Sequence, residues 1–201
     1  MTERIGAIVL AGGRSSRFGR DKLSEPIDGR PLLHHAIAAV RALTEEVVVV
    51  VAPGQDPPLP AGVRLIHDAA AFEGPLAGMC EGLEAMDPAI DRVVVVAGDM
   101  PSLEPAVLSR LVDSLGLSID IALLEVGGEP VPLPMAILRA PALASARALL
   151  AAGERRLRAL PDALHPTVVA ETTWRLHDPH GATLRDIDSP SDLAARTDKP
   201  R

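Results

Sequence analysis

Residues Val47–Val51 are five consecutive valines, and no other feature of the chain restricts its fold as much. β-Branched side chains favour strands, and a strand that is apolar at every position has to be covered on both faces. Two further apolar runs of this kind lie at residues 5–10 and 93–97. Between the runs the apolar spacing becomes helical. Pro31 opens a segment in which Leu32, Leu33, Ile37, Val40 and Leu43 recur on one face. Residues 76–86 repeat that spacing, and Pro105 begins a further helix to about residue 115. Later strand candidates are residues 63–66, 119–125 and 131–138, the last two joined by a Gly127-Gly128 turn. Residues 141–152 and 154–164 read as helices broken at Gly153, and residues 167–171 and 174–177 as weaker strands. Ser189-Pro190-Ser191-Asp192 has the pattern of a helix start.

Strands alternating with helices predict a three-layer α/β/α sandwich around a mostly parallel, Rossmann-like sheet. With 47% hydrophobic residues among 201, the core is expected to form one domain over residues 1–196, with 197–201 a loose tail. Ligands of such sheets bind beyond the carboxyl ends of the strands. Residues 10–22, 51–53, His67-Asp68 and Asp99 all follow strands, so they should meet at one edge.

The first strand runs into Leu10-Ala11-Gly12-Gly13-Arg14-Ser15-Ser16-Arg17-Phe18-Gly19-Arg20-Asp21-Lys22. Glycines let successive N–H groups turn inward as an anion nest, and the basic side chains add charge suited to a polyphosphate. The spacing is not that of a Walker loop, because Gly19 is followed by Arg20-Asp21-Lys22, and it is not a dinucleotide fingerprint. Overall charge is −7, which argues against nucleic acid or an anionic membrane as partner. The basic loop is therefore a local feature of an acidic protein and suits a small anion.

Together with Gly29-Arg30-Pro31-Leu32-Leu33, this loop resembles the signature of the molybdopterin nucleotidyltransferases, the guanylyltransferase branch most of all. The resemblance implies transfer of GMP from GTP to molybdenum-bound molybdopterin, with pyrophosphate released and Mg²⁺ as cofactor. Leu10, Ala11, Gly12 and Gly13 would meet the nucleotide, and Arg17 and Lys22 would stabilise charge on its phosphates. Asp99, in Val96-Ala97-Gly98-Asp99-Met100-Pro101, matches the family's metal and nucleotide ligand. A carboxylate just after a buried strand suits magnesium, although Asp before Pro is also a common turn residue. Asp68 and the segment Gly74-Pro75-Leu76-Ala77-Gly78 match the guanylyltransferase branch, where the Asp touches the nucleotide; Gly78 would allow close approach of the ligand.

Asp186-Ile187-Asp188 departs from the usual Asn-x-Asn of that branch and is closer to the cytidylyltransferases. Alternation along an extended segment puts both acids on one side, so Asp188 is expected at the metal beside Asp99, and Asp186 near the pterin. Arg155 and Arg156, in Ala152-Gly153-Glu154-Arg155-Arg156, would meet the pterin phosphate. Two other positions depart from the family pattern: Val51 stands where some relatives have Asn, and Leu133-Pro134 where His-Pro is frequent. The histidines form no metal-binding spacing, and no nucleophile elbow is present. The pterin phosphate itself would then be the nucleophile. A cytidylyltransferase on the same pterin and a nucleotide-binding module without turnover remain as alternatives.

The lone cysteine, Cys80, rules out an intrachain disulfide and fits a reducing cytoplasm. No leader or apolar run long enough to span a bilayer is evident. Cofactor-insertion proteins and molybdoenzymes are partners that the resemblance implies.

Overall fold

The computed structural model describes residues 4–12, 22–68, 74–187 and 192. Expectations for Gly13, Arg17, Asp188, the helix start at Ser189-Pro190-Ser191 and the tail 197–201 lie outside the described residues.

The chain opens with strand β1 (Ile5–Leu10). A 3₁₀ turn (Lys22–Ser24) and a small hairpin of β2 (Pro26–Ile27) and β3 (Arg30–Pro31) then lead into helix α1 (Leu32–Arg41). Strands β4 (Val47–Val51) and β5 (Arg64–His67) precede helix α2 (Pro75–Ala85). Next come β6 (Arg92–Ala97) and α3 (Pro105–Asp113), then the hairpin β7 (Ile121–Val126) and β8 (Glu129–Leu138), then α4 (Arg139–Ala151). A 3₁₀ turn (Leu157–Ala159), α5 (Leu160–Ala163), β9 (Pro166–Val169), α6 (Glu171–Trp174) and a last 3₁₀ turn (Ala182–Leu184) complete it.

Seven strands form one sheet in the order β5-β4-β1-β6-β8-β7-β9. Only β8 runs against its neighbours, pairing antiparallel with both β6 and β7. Every valine of β4 is buried, and the alternation of side chains divides the core in two. Val47, Val49 and Val51 face α1 and α3 with Ala7, Val9, Val94 and Val96. Val48 and Val50 face α2 and α4 with Ile8, Val93 and Val95. Helices on both faces of a mostly parallel sheet make the three layers predicted from the valine runs.

Two local expectations are corrected. Residues 154–164 do not form one helix, because Glu154 folds back on the N–H groups of Arg155 and Arg156. Helical structure resumes only at Leu157. Residues 174–177 are not a strand. Trp174 closes α6, where Glu171 pairs with Arg175 one turn on at 2.6 Å. The indole is fully buried and donates to the Glu125 carbonyl at 2.9 Å. A buried indole with a satisfied N–H holds that turn more firmly than strand propensity could oppose.

Candidate active site

The carboxyl ends of β1, β4, β5 and β6 meet at one edge because those strands are parallel neighbours. The backbone pairing continues past the strand ends. Ala11 N–H donates to the Val50 carbonyl at 2.7 Å, Gly98 N–H to Leu10 at 2.9 Å, and Asp68 N–H to Val51 at 2.8 Å. Leu10, Ala11, Asp68 and the Asp99 turn are thereby held against one another before any side chain contributes.

Two neighbouring subsites result. The first is a pocket of roughly 260 Å³ lined by Leu10, Gly12, Val50, Ala52, Asp68, Gly74, Pro75 and Gly78. Its walls come from four stretches far apart in sequence: the ends of β1 and β4, the residue after β5, and the start of α2. A Cβ on Gly78 would point toward Val50, Leu10 and Asp68 at 3.4 to 3.7 Å, all of them lining residues. No neighbour forbids a side chain there; its absence keeps the pocket open. Gly82, one turn further, differs, since a Cβ there would meet Ile8 at 2.9 Å. That glycine serves helix–sheet packing. Ala52 lies at the edge where residues 51–53 were expected; sequence reasoning missed Gln55, whose side-chain oxygen accepts from Ala52 N–H at 3.2 Å.

The second subsite is charged. Lys22 Nζ donates to Asp99 Oδ2 at 2.7 Å and to the Ile187 carbonyl at 3.1 Å. Both side chains are largely covered, at 17% and 21% exposure, so the pair is less screened than a surface ion pair. Ile187 N–H in turn donates to the Asp99 carbonyl at 3.0 Å. One residue near the end of the described chain therefore braces both charged groups through its backbone. The sequence pointed to this segment through its acids and not through Ile187, whose contacts are made by main-chain atoms that carry no residue signature.

The brace is itself held. Asp178 is buried and accepts from Ala182 and Thr183 N–H at 3.0 and 2.7 Å, while Thr183 Oγ1 accepts from Glu104 N–H. Burial pushes the Asp178 carboxyl up, but the hydrogen bonds from Thr183 and Ala182 outweigh it and hold it below its ordinary value. Asp186 is exposed and Ile187 buried.

The arginines differ in surroundings. Arg155 Nη1 donates to the Leu150 and Glu154 carbonyls at the end of α4. Arg156 pairs with Glu154 at 2.6 Å and remains exposed. Among the described residues, no group of three or more His, Cys, Asp or Glu could enclose a metal ion. No described helix is long and apolar enough to cross a membrane.

Known proteins resemble this chain in sequence and in fold. A probable molybdenum cofactor guanylyltransferase from Chloroflexus aggregans is 36% identical over 195 residues, covering 94% of this chain and 91% of its own. Molybdopterin-guanine dinucleotide biosynthesis protein A from Archaeoglobus fulgidus superposes with a TM-score of 0.76 at 20% identity, covering 95% of this chain and 96% of its own. Rv0371C from Mycobacterium tuberculosis, solved in complex with manganese, superposes with a TM-score of 0.69 at 17% identity, covering 98% and 100%. The MobA-like NTP transferase domain matches residues 7–168, a span that takes in most of β1, Lys22, the pocket and Asp99, and the chain belongs to that family.

Proposed function

We infer that this chain is a molybdenum cofactor guanylyltransferase, which transfers GMP from GTP to molybdopterin and releases pyrophosphate. The observation that carries the reading is the pairing of a compact pocket with the Lys22–Asp99 site at one sheet edge. The pocket is walled by the Gly74-Pro75 start of α2 and by Gly78, the segment by which the chain resembles the guanylyltransferases. At roughly 260 Å³ it suits a nucleoside alone, being near the lower end of ligand pockets at about 300–1,000 Å³. The triphosphate then extends toward Lys22.

In the reaction an oxygen of the pterin phosphate attacks the α-phosphorus of GTP. The bond from that phosphorus to the β-phosphate oxygen breaks, and pyrophosphate leaves with the electron pair. Lys22 places an ammonium where charge grows on the leaving group, and Arg17 and Gly13, in the loop before it, serve the same phosphates. Leu10, Ala11, Gly12, Asp68 and Gly78 hold the nucleoside. Asp99 presents a hard oxygen ligand beside the phosphate path, which fits Mg²⁺ completed by phosphate oxygens and water rather than a closed protein cage. Mg²⁺, when bound, screens phosphate charge and polarises the α-phosphoryl group; Asp188 is its second proposed ligand. Arg155, Arg156 and Asp186 are proposed to meet the pterin and its phosphate, with Arg155 Nη1 also donating to the Leu150 carbonyl at the end of α4. The products pass to proteins that insert molybdenum cofactors, and the single buried Cys80 suits a reducing cytoplasm.

The test is competition between GTP and CTP for the purified protein with Mg²⁺ present. GTP should bind at least about tenfold more tightly, a difference near 1.4 kcal/mol. Preference for CTP would retain the fold and reaction class but replace the product, and would tie Asp186-Ile187-Asp188 to the choice of base.

A second expectation follows from Gly78. Gly78→Ala should stabilise the fold by up to about 1 kcal/mol, because alanine is the better helix former and no clash opposes it. The same methyl narrows the pocket and should weaken GTP binding about tenfold. Melting curves with and without GTP give both effects; a variant that is more stable and binds normally removes Gly78 from the nucleoside site.

A further inference from the structure

We propose that Glu154 is a positioning residue for the nucleoside pocket, acting through the carbonyl of Arg155 on the first turn of α2. The inference rests on the nucleotide reading above. It begins where α4 ends. Gly153, with φ of +87°, turns the chain out of the helix, and Arg155 Nη1 caps the Leu150 carbonyl at 3.0 Å. The Glu154 carboxylate then gathers the turn. Its Oε1 accepts from Arg155 N–H at 2.8 Å, Arg156 N–H at 3.0 Å and Arg156 Nε at 2.8 Å, and its Oε2 accepts from Arg156 Nη2 at 2.6 Å. Four charge-assisted bonds leave the Arg155 peptide little freedom. They also hold the Glu154 carboxyl well below its ordinary value, the Arg156 side chain first and the two backbone N–H groups after it.

The fixed carbonyl faces the start of α2. A helix leaves its first N–H groups without partners inside the helix, and Pro75 has none to offer. Leu76 N–H is the donor that needs an acceptor, and it donates to the Arg155 carbonyl at 3.2 Å. The approach is so close that a Cβ on Gly74 would stand 2.8 Å from that oxygen and 3.0 Å from the Arg155 Cβ, with Gly74 already at φ +93°. Gly74 and Pro75 form the pocket wall, and Gly78 follows one turn later. Glu154 does not line the pocket, yet it sets the acceptor against which that wall is seated. A displacement of order 1 Å at a binding wall costs up to about 10²-fold in a positioned interaction.

The experiment measures binding of GTP and of inorganic tripolyphosphate by calorimetry, because only GTP uses the nucleoside pocket. Glu154→Ala should weaken GTP about tenfold and leave tripolyphosphate within about twofold. Glu154→Gln keeps an amide oxygen for the Arg155 and Arg156 N–H groups and should restore most of the affinity. Should Glu154→Ala fail to fold, Gly74→Ala strikes the same contact from the other side and should show the same split. Unchanged GTP affinity in folded Glu154→Ala, or a parallel loss of tripolyphosphate, overturns the inference while leaving the proposed function standing. Native protein that binds tripolyphosphate with no added affinity for GTP overturns the pocket reading, and this inference with it.

Discussion

Asp99→Ala should lower turnover by on the order of 10³-fold, the loss expected when one charge-organising group is removed from a phosphoryl-transfer site. The fold should survive. Asp99 follows a strand whose core is held by fully buried valines, and among the described residues its side chain pairs with the largely covered Lys22. When the carboxylate is removed, Lys22 keeps the Ile187 carbonyl as acceptor. The charge balance supplies a sharper readout than activity. Without Asp99, one negative charge beside the Lys22 ammonium is removed, so GTP in the absence of divalent metal should bind at least as tightly as to the native protein. Manganese binding, followed by electron paramagnetic resonance, should drop in the same variant. Normal turnover at saturating Mg²⁺ would remove Asp99 from the metal site, whatever the binding data show.

Lys22→Ala is expected to have the second largest effect, acting on binding. A charged hydrogen bond to phosphate contributes about 1.5–3 kcal/mol, so GTP affinity should fall roughly 10- to 100-fold. Lys22→Arg should recover only part of this. The ammonium fits between Asp99 Oδ2 at 2.7 Å and the Ile187 carbonyl at 3.1 Å, a spacing made for a compact charge and not for a planar fork. Titration of GTP into each variant without metal isolates the lysine from Asp99. Equal affinity for all three proteins would show that the loop ending at Lys22 does not hold phosphate.

The two variants also separate the roles within one ion pair. Asp99→Ala acts on turnover and metal and spares metal-free nucleotide binding; Lys22→Ala acts on nucleotide binding first. A pair that served only to tie the Lys22–Ser24 turn to β6 would give similar, small losses of stability in both and no such division.

Sheet, layers and site edge were legible in the sequence because their signals are local. Valines at every position of β4 require two covered faces, and the helical spacing around them supplies the cover. Lys22 and Asp99 stood out as residue types, a charge at the end of a glycine-rich loop and a carboxylate after a strand, whereas Asp68 and Gly78 were singled out by the family resemblance; the structure brings Lys22 to Asp99 and Asp68 to the pocket that Gly78 lines. Where local signals were weak the reading failed. Residues 154–164 had helical composition, but the Glu154 carboxylate satisfies backbone N–H groups that a helix would have used. Residues 174–177 looked extended, but the burial of Trp174 and its bond to Glu125 keep a helical turn there.

By itself, the sequence determined which segments must be buried and which residues could carry charge to a phosphate, because burial pattern and side-chain chemistry are written position by position. Only the tertiary structure decided which of them meet. Lys22 reaches Asp99 across 77 positions and Ile187 across 165, and the Arg155 carbonyl closes on Leu76 N–H and Gly74. Two of those partners are main-chain carbonyls, identical in every residue, and where they point depends on strand order, register and the turns between elements. Backbone acceptors have no letter in the sequence, so the braces of this site became visible only once the chain was folded.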